Sequence, residues 1–321
     1  MWAKRKVDTN HILGSVKDLL LADGNRRNSE TDEIGMEFEL EGEELDKAYH
    51  KLPSKVWTHK TDGSLDETGR EFTFNKALNR KDAEKFVTEF FDVFGKEAKI
   101  DNSDRCSTHM HLNFQHRSIL QVYSFLTLFY VYEQALFKKF APERMEGNSQ
   151  RWCKAETLGD SHQNSRIKEY KKNLQNGVFN NSDRYYAMNT EALFRYGSIE
   201  CRMLGGSSDA KKPLEWMNIL LELYDYIKNN PRLTPSEIIC NAEDWMEFTE
   251  KNFPKIWEAI KDLDGLKDML QNGADMVQEY AFAVDWTPAK TAEPPKKARK
   301  VDPYRAQQFV PEYYPDEEIT F

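Results

Sequence analysis

The sequence predicts an α+β fold, and three observations carry the prediction. Four short stretches alternate apolar and polar residues with the two-residue period of a β-strand. Several longer stretches repeat their apolar residues at helical spacing. The 321 residues, 39% hydrophobic and 12% aromatic, are enough to bury a large core without covalent staples.

In chain order, residues 1–30 read as a polar extension around the amphipathic piece HILGSVKDLLLADG. IGMEFELEG, residues 34–42, is the first strand, with Met36, Phe38 and Leu40 on one face and Glu37 and Glu39 on the other. KVWTHKTDGSLDETGREFTF is a hairpin with turn chemistry at Asp62-Gly63 and Gly69. NRKDAEKFVTEFFDVFGKEA is a helix whose Phe86, Phe90, Phe91 and Phe94 form a core-facing stripe. THMHLNF is a strand, and residues 118–140 form a long buried helix. SRIKEYKKNLQNG is a helix closed by Gly177. Arg184 to Ala192 and Gly197 to Leu204 are read as a strand pair, and PLEWMNILLELYDYIKNN as a helix with Pro213 in its first turn. Residues 231–285 form a small helical appendage, and 286–321 lose periodicity and read as a flexible tail.

The composition excludes several classes. A formal net charge of −9 disfavours a protein that holds nucleic acid by broad phosphate neutralisation. Residues 118–137 are apolar, but Gln121, Ser124, Thr127, Glu133 and Gln134 interrupt them, so a buried helix is expected and not a membrane span. Cys106, Cys153, Cys201 and Cys240 lie far apart with no CxxC pair, which points to a reducing, cytoplasmic setting. The basic start MWAKRKVDTNHILGS lacks an apolar signal region. The tail run PPKKARK admits a nuclear-import reading, and a solvated linker is the ordinary one.

The alternation recurs with one design. In THMHLNF, His109, His111 and Asn113 oppose Thr108, Met110 and Leu112. In SIECRML, Glu200 and Arg202 oppose Ile199, Cys201 and Met203, and in GREFTF, Glu71 and Thr73 oppose Phe72 and Phe74. If these strands share a sheet, four carboxylates, two histidines and an arginine converge on one surface. Carboxylate oxygen with an occasional imidazole suits Mg²⁺ or Mn²⁺, and an adjacent arginine suits a phosphate or carboxylate. Metals with arginine fit phosphoryl transfer, where catalysis is mostly positioning and charge neutralisation. Taken singly, each motif has an ordinary reading: a solvated face for ExE, a cross-strand ion pair for ExR.

The succession GMEFELEG, KTDGSL, GREF, STHMHLNF and RYYAMN leading into SIECRML, across roughly residues 31–225, resembles the amidoligase family. That family belongs to the carboxylate–amine ligase superfamily, with glutamine synthetase and glutamate–cysteine ligase. The resemblance implies a glutamine synthetase-like catalytic domain over 31–230, a curved antiparallel sheet with helices on its convex side and two or more divalent ions and ATP on the concave face. It implies amide-bond formation between a small-molecule or peptide carboxylate and an amine through an acyl phosphate, with γ-glutamyl or peptide chemistry and a phage or bacterial setting among its associations. By position, Glu37 and Glu39 match paired carboxylates on separate ions. Glu71, His109 with His111, and Glu200 match further metal ligands. Arg202 matches the arginine that meets the phosphates. Arg184 and Asn189 match an RYxxxN segment at the site, with Arg184 on phosphate or a substrate carboxylate. Asp62 and Ser64 match a DxS element near the substrate amine. Thr108 and Cys201 depart from the family pattern, on the core-facing side. Cys153, in RWCKA, is read as a buried structural cysteine. Two rivals remain: a metal-dependent phosphohydrolase or nuclease, and a non-enzymatic interaction protein with an ion-pair-rich sheet. The oligomeric state is open.

Overall fold

Strand alternation and helical periodicity resolve into a mixed α and β structure around a six-stranded antiparallel sheet. The computed structural model describes residues 12–21, 30–31, 33–145, 153–157, 165–175 and 184–286, all within one unit, Met1–Pro288. Arg151, Gly177, the basic run PPKKARK and the end QQFVPEYYPDEEITF lie outside the described residues, as do residues 1–11.

The elements follow in order: α1 (Val16–Leu19), β1 (Ile34–Leu40), β2 (Gly42–Glu43), α2 (Leu45–Tyr49), β3 (Trp57–Lys60), β4 (Arg70–Phe74), α3 (Arg80–Glu97), β5 (Lys99–Ile100), β6 (Ser107–Asn113) and α4 (Ile119–Phe140). After these come α5 (Ser165–Gln175), β7 (Met188–Asn189), α6 (Ala192–Arg195), β8 (Ser198–Gly205), α7 (Lys211–Asn229), α8 (Pro235–Asn241), α9 (Trp245–Asn252), α10 (Pro254–Ile260) and α11 (Leu266–Ala281). The main sheet runs β3-β4-β1-β6-β8-β7, and β2 pairs with β5 in a small ladder.

The apolar face of the sheet packs on α3 through aromatic rings. Phe38 meets Phe90 and Phe91 at centroid distances of 4.9 and 5.0 Å, and Trp57 meets Phe90 at 4.7 Å. Such rings are the largest apolar area in the core, each contributing roughly 1.5–3 kcal/mol on burial. The Phe90, Phe91 and Phe94 part of the stripe is buried as packing, and Phe86 lies at its edge.

Helix α4 is buried along almost its whole length and opens with a capping box, Ser118 with Gln121. Helix α7 begins at Lys211 and carries Pro213 in its first turn. Residues 231–285, expected as an appendage, supply α8 to α11, and their apolar side chains belong to the same core cluster as the sheet. Helix α11 crosses α4 closely at Gly273, where an added Cβ would stand 2.5 Å from the Val131 carbonyl oxygen. The N-terminal piece is tied to the turn before α4, with Val16 N–H donating to the Arg117 carbonyl at 2.9 Å.

One expectation is corrected. The strand read over Arg184 to Ala192 shrinks to Met188 and Asn189. Asn189 Oδ1 accepts a hydrogen bond from the Glu191 N–H at 2.9 Å, a local turn that ends the ladder and starts the short helix α6. Among the described residues, no helix is long and apolar enough to cross a membrane.

Candidate metal and phosphate site

The registers bring the polar faces together. Glu39 stands opposite Glu71, Glu37 opposite both Thr73 and His109, His111 opposite Glu200, and Asn189 opposite Glu200. Lys60 completes the row beside Glu71. A bulge between Thr108 and Met110 shifts β6 against β8, so that β8 fits both Arg202 and Met203 against His109. Thr108 and Cys201 are buried on the opposite side. Gly35 lies across from His111, and a Cβ there would approach that side chain to 3.2 Å, so glycine leaves the imidazole room.

All eleven residues singled out in the sequence line one cavity of about 240 Å³: Glu37, Glu39, Asp62, Ser64, Glu71, His109, His111, Arg184, Asn189, Glu200 and Arg202. Sequence reasoning missed Lys60, Tyr185, Glu191, Arg195 and Tyr196, which line it too. Lys60 was findable, because WTHK carries it on the face opposite Trp57 by the same alternation. Arg195 at the end of α6 and Tyr196 just after it gave no periodic signal. A second cavity of about 270 Å³ adjoins along the sheet, sharing Glu37, Lys60, Glu71, His111 and Tyr196 and continuing over Gly35 to Asn113 and Gln115.

Two groups within the row have ligand atoms all within 4.8 Å of one another: Glu37 with His111 and Glu200, and Glu39 with Asp62 and Glu71. Glu37 and Glu39 thus fall in separate groups, and Asp62, expected beside an amine, joins the second. His109 bridges them. Its Nδ1 lies 3.2 Å from Glu37 Oε2 and 3.5 Å from Glu200, and its Nε2 lies 2.8 Å from Ser107 Oγ. His111 Nε2 lies 3.1 Å from Glu37 Oε1, and its Nδ1 lies 3.0 Å from Ser198 Oγ, which orients the ring. Asn189 donates to Glu200 Oε2 at 2.6 Å, and Arg202 pairs with Glu200 Oε1.

The electrostatics of the two groups diverge. Burial pushes Glu37 up, but His111 and His109 outweigh it and hold the carboxyl well below the ordinary range. Burial of Glu200 is likewise overcome by Arg202 and the two histidines. Burial, and then Glu37, push Glu71 up to about 7, although Lys60 Nζ sits 3.0 Å from its Oε1. At Asp62 burial is overcome by hydrogen bonds from Ser64 Oγ and N–H, at 2.6 and 2.7 Å, and the carboxyl is lowered. Arg184 is exposed at the rim, its Nη2 3.2 Å from the Tyr185 hydroxyl.

Like charges at this density repel, and the two donor sets, two carboxylates with one imidazole and three carboxylates alone, are of the kind that hard divalent cations take. The residues present fit two such ions. Neither the family models nor the curated proteins compared with this chain contain a match.

Proposed function

We propose that the protein is an ATP- and divalent-metal-dependent carboxylate–amine ligase that forms an amide bond through an acyl phosphate, on a curved, glutamine synthetase-like sheet. One observation carries the reading: two adjacent ligand groups and the arginines Arg202 and Arg184 share a single cavity over one sheet face. Glu37, His111 and Glu200 would hold one Mg²⁺ or Mn²⁺, with His109 beside them, and Glu39, Asp62 and Glu71 a second. Bound there, the ions supply charge neutralisation and Lewis acidity at phosphoryl oxygens.

The chain's own groups do the rest. Arg202 is anchored through Glu200, and its buried Nε has no hydrogen-bond partner among the described residues, which leaves a donor for a phosphate oxygen. Arg184 at the rim meets a second anionic group. The substrate carboxylate attacks the γ-phosphorus of ATP and ADP leaves. The amine nitrogen then attacks the acyl carbon, the bond to phosphate breaks and phosphate leaves, and the nitrogen gives up a proton to solvent; Ser64 holds the Asp62 carboxylate in place on that side of the site.

Thermal unfolding tests this reading, with and without Mg²⁺ plus a non-hydrolysable ATP analogue. Ligand at 100 times Kd is expected to stabilise the natural chain by about 2.7 kcal/mol, only when metal and nucleotide are present together, and not the Glu37→Ala variant. No shift in either protein overturns it. A shift accompanied by phosphate release from phosphoesters without any amine acceptor would favour a metal-dependent phosphohydrolase instead.

A further inference from the structure

Away from the cavity, the most unusual group in the core is Glu133, a fully buried carboxyl in the middle of α4. Its Oε2 accepts hydrogen bonds from the Thr157 N–H at 2.7 Å and the Thr157 hydroxyl at 2.6 Å, while Gln134 donates to the Thr157 carbonyl. Thr157 belongs to the described stretch 153–157, a strap that also runs beside the site at Lys154. Lys154 N–H donates to the Tyr185 carbonyl at 2.7 Å and Ala187 N–H to the Lys154 carbonyl at 2.9 Å, a parallel bridge. The segment so held presents Arg184 to the cavity, accepts the Arg202 N–H on the Ala187 carbonyl and carries Asn189, which bonds Glu200.

We infer that Glu133 is a positioning residue: by latching the strap 153–157 to α4 it holds the Arg184–Asn189 wall of the cavity against β8. A leucine would fill the same place at less desolvation cost, so a carboxyl there is explained by the two directed bonds it accepts. Burial pushes Glu133 up to about 7, and the groups acting on it are the hydrogen-bond donors of Thr157 and Glu156 rather than a cation. Its Oε1 is buried without a hydrogen-bond partner among the described residues, so glutamine keeps the acceptor for Thr157 and leaves its amide NH2 in that unpartnered place. The inference does not depend on the reaction assigned above.

Amide hydrogen exchange of the full chain without ligand tests it. In Glu133→Ala, the amides of 154–157 and 184–189 are expected to exchange about tenfold faster or more, while those of β1 and β6 stay protected; Glu133→Gln restores most of the protection. If the alanine variant fails to fold, Thr157→Val removes only the hydroxyl donor and is expected to give a smaller acceleration in the same two segments. Equal acceleration throughout the chain, or a loosened strap with an unchanged 184–189 segment, overturns the inference. Because no nucleotide, metal or substrate is present, the result stands whether or not the ligase reading does.

Discussion

The two ligand groups on the sheet lie side by side but differ in how their charge is met. Glu37 and Glu200 are compensated within the protein by His111, His109 and Arg202, and are held in the ionised form. Glu39, Asp62 and Glu71 have oxygen atoms only, with Lys60 reaching over from the edge strand, and Glu71 is driven toward the neutral form. In the first group, neighbouring side chains meet the negative charge. In the second, carboxylate repulsion is met only in part by Lys60 and the Ser64 hydrogen bonds, and the proposed cation would relieve the rest.

The largest expected effect breaks the compensated group. Glu200→Ala removes the carboxylate on which Asn189, Arg202 and both histidines converge, and should lower ATP-dependent turnover by on the order of 10²-fold or more with the fold intact. Near-normal turnover would remove Glu200 from the chemistry.

A smaller effect separates the groups by pH. Glu71 is raised from 4.5 to about 7, so between those values the folded chain holds a proton that the unfolded chain has released. Its stabilisation is complete below pH 4.5 and is lost as pH rises through 7, on the order of 3 kcal/mol. Glu37 and Glu200 are lowered, so their contribution has the opposite sign: present above the ordinary carboxylate value and lost as pH falls. Denaturant titrations in metal-free buffer at pH 5 and pH 8 should therefore show Glu71→Gln gaining relative stability at the higher pH; an identical pH dependence in variant and natural chain would refute the assignment. The smallest effect concerns Lys60, an exposed ion-pair partner of the buried Glu71. Lys60→Met should tighten Mg²⁺ binding only a few-fold, measured by calorimetry, because exposed pairs are worth little.

Much of this surface was legible because strand alternation places residues by arithmetic. Glu37, Glu71, His109, His111 and Glu200 each sit beside core-facing residues such as Phe38 and Phe72, so the apolar positions fixed which way the polar ones point. The pairing of strands distant in sequence was not legible, and neither was the grouping of Asp62 with Glu39 and Glu71, which arises from the turn that Ser64 and Asp62 build between β3 and β4. The strand over 184–192 misled because Tyr185, Tyr186 and Met188 favour extended backbone, while the side chain of Asn189 settles the turn locally. Glu133 was noted only as a polar interruption in an apolar helix, since the strap it holds is joined by hydrogen bonds and not by any repeating pattern.

The strand order β3-β4-β1-β6-β8-β7 also sets an order of assembly. The acid-only group draws on residues 39, 62 and 71, from strands that are near neighbours along the chain. The histidine-bearing group needs residues 37, 111 and 200, and so waits on the closure of far longer loops, whose entropy must be overcome before the contacts form. The three carboxylates of the acid-only group therefore leave the ribosome before His111 and Glu200, and if the proposed site takes a divalent cation, that group is the part of it which local chain closure could form first.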